Sequence, residues 1–239
     1  MPTRVLLIRH GQSTWNAARR WQGQADPPLT ELGEQQAFEA SRRLGSFDLV
    51  VASDLERARR TAEVIAGELG IGPVELDPQL RENHAGEWEG LTAREVEDGW
   101  PGFLAAHRRP PGFEPAEDVA ARAIASLLTI GRRTDGEILA VSHGGVIRVL
   151  RRLLGVQDRQ ITNLSGCWFT VFERDLSVDA EIVALIEPND ATAPGPAQAA
   201  EAETRTVIAP GSDTASKAES EAESEAESEA ESDAESERL

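Results

Sequence analysis

The chain has 239 residues and a net charge of −18, unevenly spread: from Asn189 onward fourteen acidic residues face three basic ones, leaving only −7 on the first 188. A body of that sign offers no template for a nucleic-acid backbone, which is bound by Lys and Arg that neutralise phosphates. Cys167 is the single cysteine, so an intrachain disulfide is excluded and a reducing, cytoplasmic compartment is expected.

Residues 5–8 (Val-Leu-Leu-Ile) form a continuous apolar run without alternation, the pattern of a strand buried on both faces. The run is too short for a secretory signal or a membrane span, so no membrane partner is expected. Residues 30–44 place Leu32, Ala37, Ala40 and Leu44 on one side of a helix. A second strand is expected at 49–52. A helix over 55–69 follows, with Leu55, Ala58, Ala62, Ile65 and Leu69 at helical spacing and Gly70 as its stop. Residues 100–117 carry Pro101, Pro110, Pro111 and Pro115 and read as an irregular lid. Helices at 119–130 and 146–154 flank a third buried strand at 138–141. Strands at 169–172 and 182–186 are expected as a hairpin at one side. Such alternation implies a three-layer α/β/α sandwich with a mostly parallel central sheet.

Beyond 188 order is expected to fail. Residues 191–198 are rich in Pro, Ala and Gly, and from 217 the chain repeats Ala-Glu-Ser-Glu, which stacks like charges at i,i+4 on any helix. The expected division is a globular domain over 1–188 and a disordered acidic tail over 189–239.

Four segments carry chemistry, and three of them leave expected strands at the carboxyl end, where open α/β sheets bind ligands. Arg9-His10-Gly11 ends the first strand, with Gln12-Ser13-Thr14-Trp15-Asn16 beyond it. A buried strand ending in Arg-His is costly unless an anion is held there, and Gly11 is read as clearing room for one. His10 alone would more simply be a hydrogen-bonded core or surface residue. The second segment is Ser53-Asp54-Leu55-Glu56-Arg57-Ala58-Arg59-Arg60. Basic residues at a helix N-terminus oppose its dipole unless they serve an anion; Arg57 is read as turned to the sheet edge, Arg59 and Arg60 as facing solvent. The third, Leu80-Arg81-Glu82-Asn83-His84-Ala85-Gly86-Glu87-Trp88-Glu89-Gly90, contains Glu82, uninformative by itself. The fourth, Ser142-His143-Gly144-Gly145, again ends a strand in His and opens a helix with free amides.

Taken in order, these segments resemble the histidine phosphatase superfamily, the phosphoglycerate mutase-like fold, over roughly residues 4–154. The resemblance implies a catalytic domain over 1–188 that hydrolyses a small phosphate ester. In it His10 is the nucleophile that becomes phosphohistidine. Arg9, Arg57 and His143 clamp the phosphoryl oxygens, and Glu82 is general acid and then base. Asn16, Gln22, Gly23 and Gly144 match positions that contact phosphate or leaving group. On the phosphatase reading no cofactor and no metal are expected, and a cation would be repelled by Arg9 and Arg57.

Trp15, Trp21 and Trp88 read as packing around the pocket, and His84 and His107 as lid residues. His107-Arg108-Arg109 is a candidate grip on an anionic substrate end, whereas Arg148, Arg151 and Arg152 read as an exposed helix face. The separation of 61 between Glu82 and His143 is short and favours a phosphatase over a phosphoglycerate mutase, since a mutase must keep water from phosphohistidine. Phosphoglycerate mutase-type phosphoryl transfer is the alternative. A non-catalytic binding protein is disfavoured because all five reacting positions are retained. Gly112-Phe113-Glu114-Pro115 stands where many relatives have Gly-Glu-Ser, which puts one substrate contact in question. Sugar phosphates, phosphoglycerate derivatives and nucleotide-like esters stay open as substrates, as do monomer and homodimer.

Overall fold

A computed structural model describes residues 2–187; the expected acidic tail, 189–239, lies outside the described residues. The elements run β1 (Thr3–Arg9), α1 (Thr14–Ala17), α2 (Glu31–Ser41), β2 (Leu49–Ala52), α3 (Glu56–Leu69), β3 (Glu75–Leu76), α4 (Ala93–Gly99), α5 (Ala116–Ile130), β4 (Glu137–Ser142), α6 (Gly144–Leu153), β5 (Ser165–Phe172), β6 (Asp175–Val178) and β7 (Val183–Ala184). They build one sheet in the order β3-β2-β4-β1-β5-β6, with β7 also paired to β5. The β3, β2, β4 and β1 strands are parallel, and β5 turns antiparallel against β1. Among the described residues no helix is long and apolar enough to cross a membrane.

Side chains along a strand alternate between the two faces of the sheet. Val5, Leu7, Val51, Ile138 and Ala140 pack with Val119, Ala123, Leu127, Val146, Ile147 and Leu150 of α5 and α6. Leu6, Ile8, Val50, Ala52, Leu139 and Val141 pack with Ala37, Ala40, Ala58, Ala62 and Ile65 of α2 and α3. Both faces are therefore covered, and each buried Leu, Ile or Val contributes about 1.5–3 kcal/mol. This is the physical source of the unbroken apolar runs in β1, β2 and β4.

Helix ends follow local chemistry. Thr30 caps α2 by accepting the Gly33 amide, and α3 stops at Gly70 in the left-handed conformation, φ 67°. The late strands differ from expectation: β5 forms its tight hairpin with β6, and of residues 182–186 only Val183–Ala184 is a strand, paired with the start of β5. A third cluster lies off the sheet, where Trp21, Ala85, Trp88 and Val96 pack with Trp100, Phe103, Leu104 and Phe113. It ties the irregular 100–115 segment to the rest of the domain.

Register sets the site. Arg9 lies opposite Ser142, and Ala52 opposite Val141. His10, Ser53 and His143 are thus the first residues beyond three neighbouring strands. The His10 amide donates to the Ser142 carbonyl at 3.1 Å and the Ser53 amide to that of Val141 at 2.9 Å, so the ladder continues through them.

Candidate active site

His10 is buried where β1 ends. Its Nδ1 lies 2.6 Å from the Gly11 carbonyl, which can only accept, so Nδ1 carries the ring proton and Nε2 keeps its lone pair. Arg57 Nε donates to that Nε2 at 3.3 Å. Burial above all, then the charges of Arg57 and Arg9, hold the imidazole pKa well below 6.5, so the ring is neutral. Gly11 does not clear room for a ligand as expected. A Cβ there would meet the Gly33 carbonyl oxygen at 2.5 Å, so the missing side chain admits the α2 backbone instead.

Arg9 and Arg57 are both buried. Arg57 donates to the carbonyls of Ala25 at 2.8 Å and Gly23 at 2.9 Å, and Arg9 to that of Ile161 at 2.9 Å. Desolvation lowers each guanidinium to about 10, with Glu82 the charge that most opposes the shift. Both remain cations at neutral pH. Desolvating such an ion costs several kcal/mol, so two of them held together make a standing site for an anion.

His143 lies fully buried beneath, its ring centroid 5.2 Å from that of His10. Its Nε2 is 2.9 Å from Ser53 Oγ, while its buried Nδ1 has no hydrogen-bond partner among the described residues. Burial first, then Arg57 and His10, push its pKa well below 6.5. Across the cavity Glu82 accepts the Asn83 amide at 3.0 Å and, from the first turn of α6, the Gly145 amide at 3.1 Å. A side chain on Gly145 would press 2.3 Å from Glu82 Oε1, so glycine here makes room for the carboxylate.

Of the nine residues singled out from sequence, Arg9, His10, Asn16, Gln22, Gly23, Arg57, Glu82 and Gly144 line one cavity of about 470 Å³. His143 is set below its surface. Asn16 caps α1 with Ser13 and has a buried Nδ2 without a partner among the described residues, and Gln22 Oε1 accepts the Ser13 hydroxyl at 2.7 Å. The Gly23 carbonyl is taken up by Arg57, so this residue acts through the guanidinium.

The wall holds the candidate grip, in part. His107 and Arg109 line it, the Arg109 guanidinium lying 5.1–5.8 Å from the rings of Phe113, Trp21 and Trp88. Arg108 instead stacks on Phe103 at 4.0 Å. Of the three α6 arginines only Arg152 is exposed as expected. Arg148 and Arg152 line the cavity, Arg148 bonded twice to Asp158. Arg151 is fully buried and donates to the carbonyls of Gln157, Asp179 and Ala180. Glu114 and Pro115, in the departing lid motif, both line the cavity.

Three contributors escaped the sequence reading. Ser53 sat inside a quoted segment without an assigned role. Asn163, whose Nδ2 donates to the His10 carbonyl at 2.8 Å, lies 153 residues from it. Arg122 bonds the backbone of the Glu82 loop from another helix. No local spacing announces the last two.

A neutral imidazole lone pair, two buried guanidiniums and a facing carboxylate are what phosphoryl transfer to histidine requires. The description of the histidine phosphatase superfamily (branch 1) matches residues 5–176, and the chain belongs to that family; its catalytic class is that of a phosphatase. It is 36% identical over 193 residues to the glucosyl-3-phosphoglycerate phosphatase of Mycobacterium tuberculosis, covering 69% of this chain and 86% of the relative. A probable phosphoglycerate mutase of Photorhabdus laumondii is 44% identical over 158 residues, 59% of this chain and 69% of the relative. The solved structure of a mycobacterial glucosyl-3-phosphoglycerate phosphatase with VO3 superposes with a TM-score of 0.64 at 32% identity, over 74% of this chain and 96% of that one.

Proposed function

We propose that the chain hydrolyses a small phosphate monoester without a metal, by way of a phosphohistidine at His10. The supporting observation is the tautomer: the Nδ1 proton is committed to the Gly11 carbonyl, so the Nε2 lone pair lies among the cations that would hold a phosphoryl group. Arg9, Arg57 and His143 hold the phosphoryl oxygens, the otherwise unpartnered His143 Nδ1 among their contacts. Asn16, Gln22 and Gly144 complete the seat, and Gly23 fixes Arg57. His10 Nε2 bonds to phosphorus as the ester P–O bond breaks, and Glu82 gives the leaving oxygen its proton. The same carboxylate then takes a proton from water, whose oxygen displaces His10 and leaves as inorganic phosphate. The guanidiniums that serve the phosphoryl group would repel a metal ion.

The named substrate of the mycobacterial relative puts phosphoglycerate derivatives first among the esters to assay. Phosphoglycerate mutase-type transfer is the second reading, favoured by the Photorhabdus relative. An assay with EDTA on a panel of esters and 3-phosphoglycerate separates them. Phosphate release is expected; interconversion of 3- and 2-phosphoglycerate without release would overturn hydrolysis. Cys167, single and buried, supports a reducing cytoplasmic setting. The acidic segment 189–239 is read as a solubilising appendage to the catalytic domain. Its deletion is expected to leave turnover of a small ester unchanged, and a severe loss would refute that role.

A further inference from the structure

Arg122 stands on α5, 40 residues from Glu82, and every N–H of its guanidinium has a partner. One terminal nitrogen donates to the carbonyls of Gln79 at 2.7 Å and Arg81 at 2.6 Å. The other donates to the Glu82 carbonyl at 3.2 Å and to Glu114 Oε2 at 3.0 Å, while Nε donates to Glu114 Oε1 at 2.7 Å. Glu114 belongs to the irregular lid and is itself tied to the Glu82 loop. Its Oε2 accepts the His84 amide at 3.0 Å, and its own amide donates to the His84 carbonyl at 2.9 Å. The ion pair is largely shielded, with side-chain exposures of 15% and 17%.

We infer that Arg122 is a positioning residue: it locks the backbone that carries Glu82 to the lid, and so sets where the Glu82 carboxylate meets the leaving oxygen. The inference rests on the proposed general-acid role of Glu82. Among the described residues the carboxylate has two amide anchors, Asn83 and Gly145, and one of these is its own neighbour. Its placement therefore depends on a loop whose carbonyls are gathered by one side chain. Five donors in a planar fork are needed, and a Lys with three cannot reproduce them. Glu114 fills the position in the lid where a substrate contact was in question, and its carboxylate holds this strut.

The test uses the full chain and two esters, p-nitrophenyl phosphate, whose leaving group needs little protonation, and 2-glycerol phosphate, which needs a proton. Arg122→Met is expected to lower kcat on glycerol phosphate about 10- to 100-fold, as misplacement of a reacting group by an ångström does, and on the nitrophenyl ester far less. In a Glu82→Gln background the same change is expected to cost nothing further on glycerol phosphate. Equal losses on both esters, or full additivity with Glu82→Gln, would overturn the positioning role. Should Arg122→Met fail to fold, Glu114→Gln breaks the lid half of the strut, and the same preferential loss is expected. Indifference or equal losses there would overturn the inference as well. Glu82→Gln alone separates the two failures. If it does not discriminate between the esters, the acid role falls and the positioning role with it; if it does and Arg122→Met does not, only the role of Arg122 is wrong.

Discussion

The floor and the wall of the cavity hold their side chains by different means. On the floor His10, Ser53 and His143 each follow a buried strand, and sheet register alone brings them together. The wall is irregular chain with left-handed turns at Gly86, Gly90, His107 and Gly112, held by the Trp21, Trp88 and Phe113 cluster. A ladder of hydrogen bonds leaves little freedom, because shifting it by one residue would turn every core side chain to the wrong face. Loops fastened by side-chain packing can be reshaped one contact at a time. His10 and His143 thus belong to the part that cannot be adjusted, whereas Glu82 and the lid residues that line the cavity belong to the part that can.

Breaking the floor should cost most. His10→Ala is expected to reduce turnover at least about 10⁴-fold and to abolish the phosphohistidine signal in phosphorus NMR, with an unchanged circular dichroism spectrum. Activity that survived would exclude the histidine route. Arg57→Lys keeps the charge but cannot bond His10, Gly23 and Ala25 together, so a loss of about 10²–10³-fold in kcat/KM is expected. A Lys variant as active as the parent would mean that charge alone suffices. The wall should respond differently. Phe113→Ala removes a ring beside Arg109, and should raise KM for a phosphoglycerate ester roughly 3- to 10-fold, as lost packing of about 1 kcal/mol implies. Its kcat on p-nitrophenyl phosphate should hardly move, and a parallel collapse of both would erase the distinction drawn above.

Acid titration sharpens the contrast further. His10 and His143 have folded pKa values below the unfolded 6.5, so the unfolded chain binds more protons as pH falls. Stability is then present above pH 6.5 and declines below it, by about 1.4 kcal/mol per pH unit for each imidazole. Urea denaturation between pH 6.5 and 5, above the range of ordinary carboxylates, reads this slope. His10→Ala should reduce it by about half; a slope unaltered by the substitution would mean His10 does not contribute to it.

Much of the floor was legible in the chain, because strands buried on both faces leave unbroken apolar runs, and His10 and His143 directly follow two of them. The hairpin was misjudged for the opposite reason: β6 (Asp-Leu-Ser-Val) is an edge strand with exposed Asp175 and Ser177. Helix α4 was overlooked although Thr92 and Glu95 form a capping box, since Val96 is its one buried residue. Arg151 was placed on a solvent face because helical spacing alone could not show that carbonyls from the segments after α6 and β6 close over it. Arg122 was invisible for a related reason: besides Glu114, its partners are backbone carbonyls, which any residue type can supply.

The central place of β1 has a consequence for the making of the enzyme. His10 is near the start of the chain, yet its strand is flanked by β4 and β5, with Arg9 opposite Ser142 and Thr3 opposite Val171. At a synthesis rate of about 5–20 residues per second, the ribosome adds Ser142 on the order of ten seconds after His10. During that interval His10 has no pocket, and an apolar strand waits without either neighbour. Assembly of the site is therefore a late, long-range event, of the kind that slows folding and rewards protection of the nascent chain.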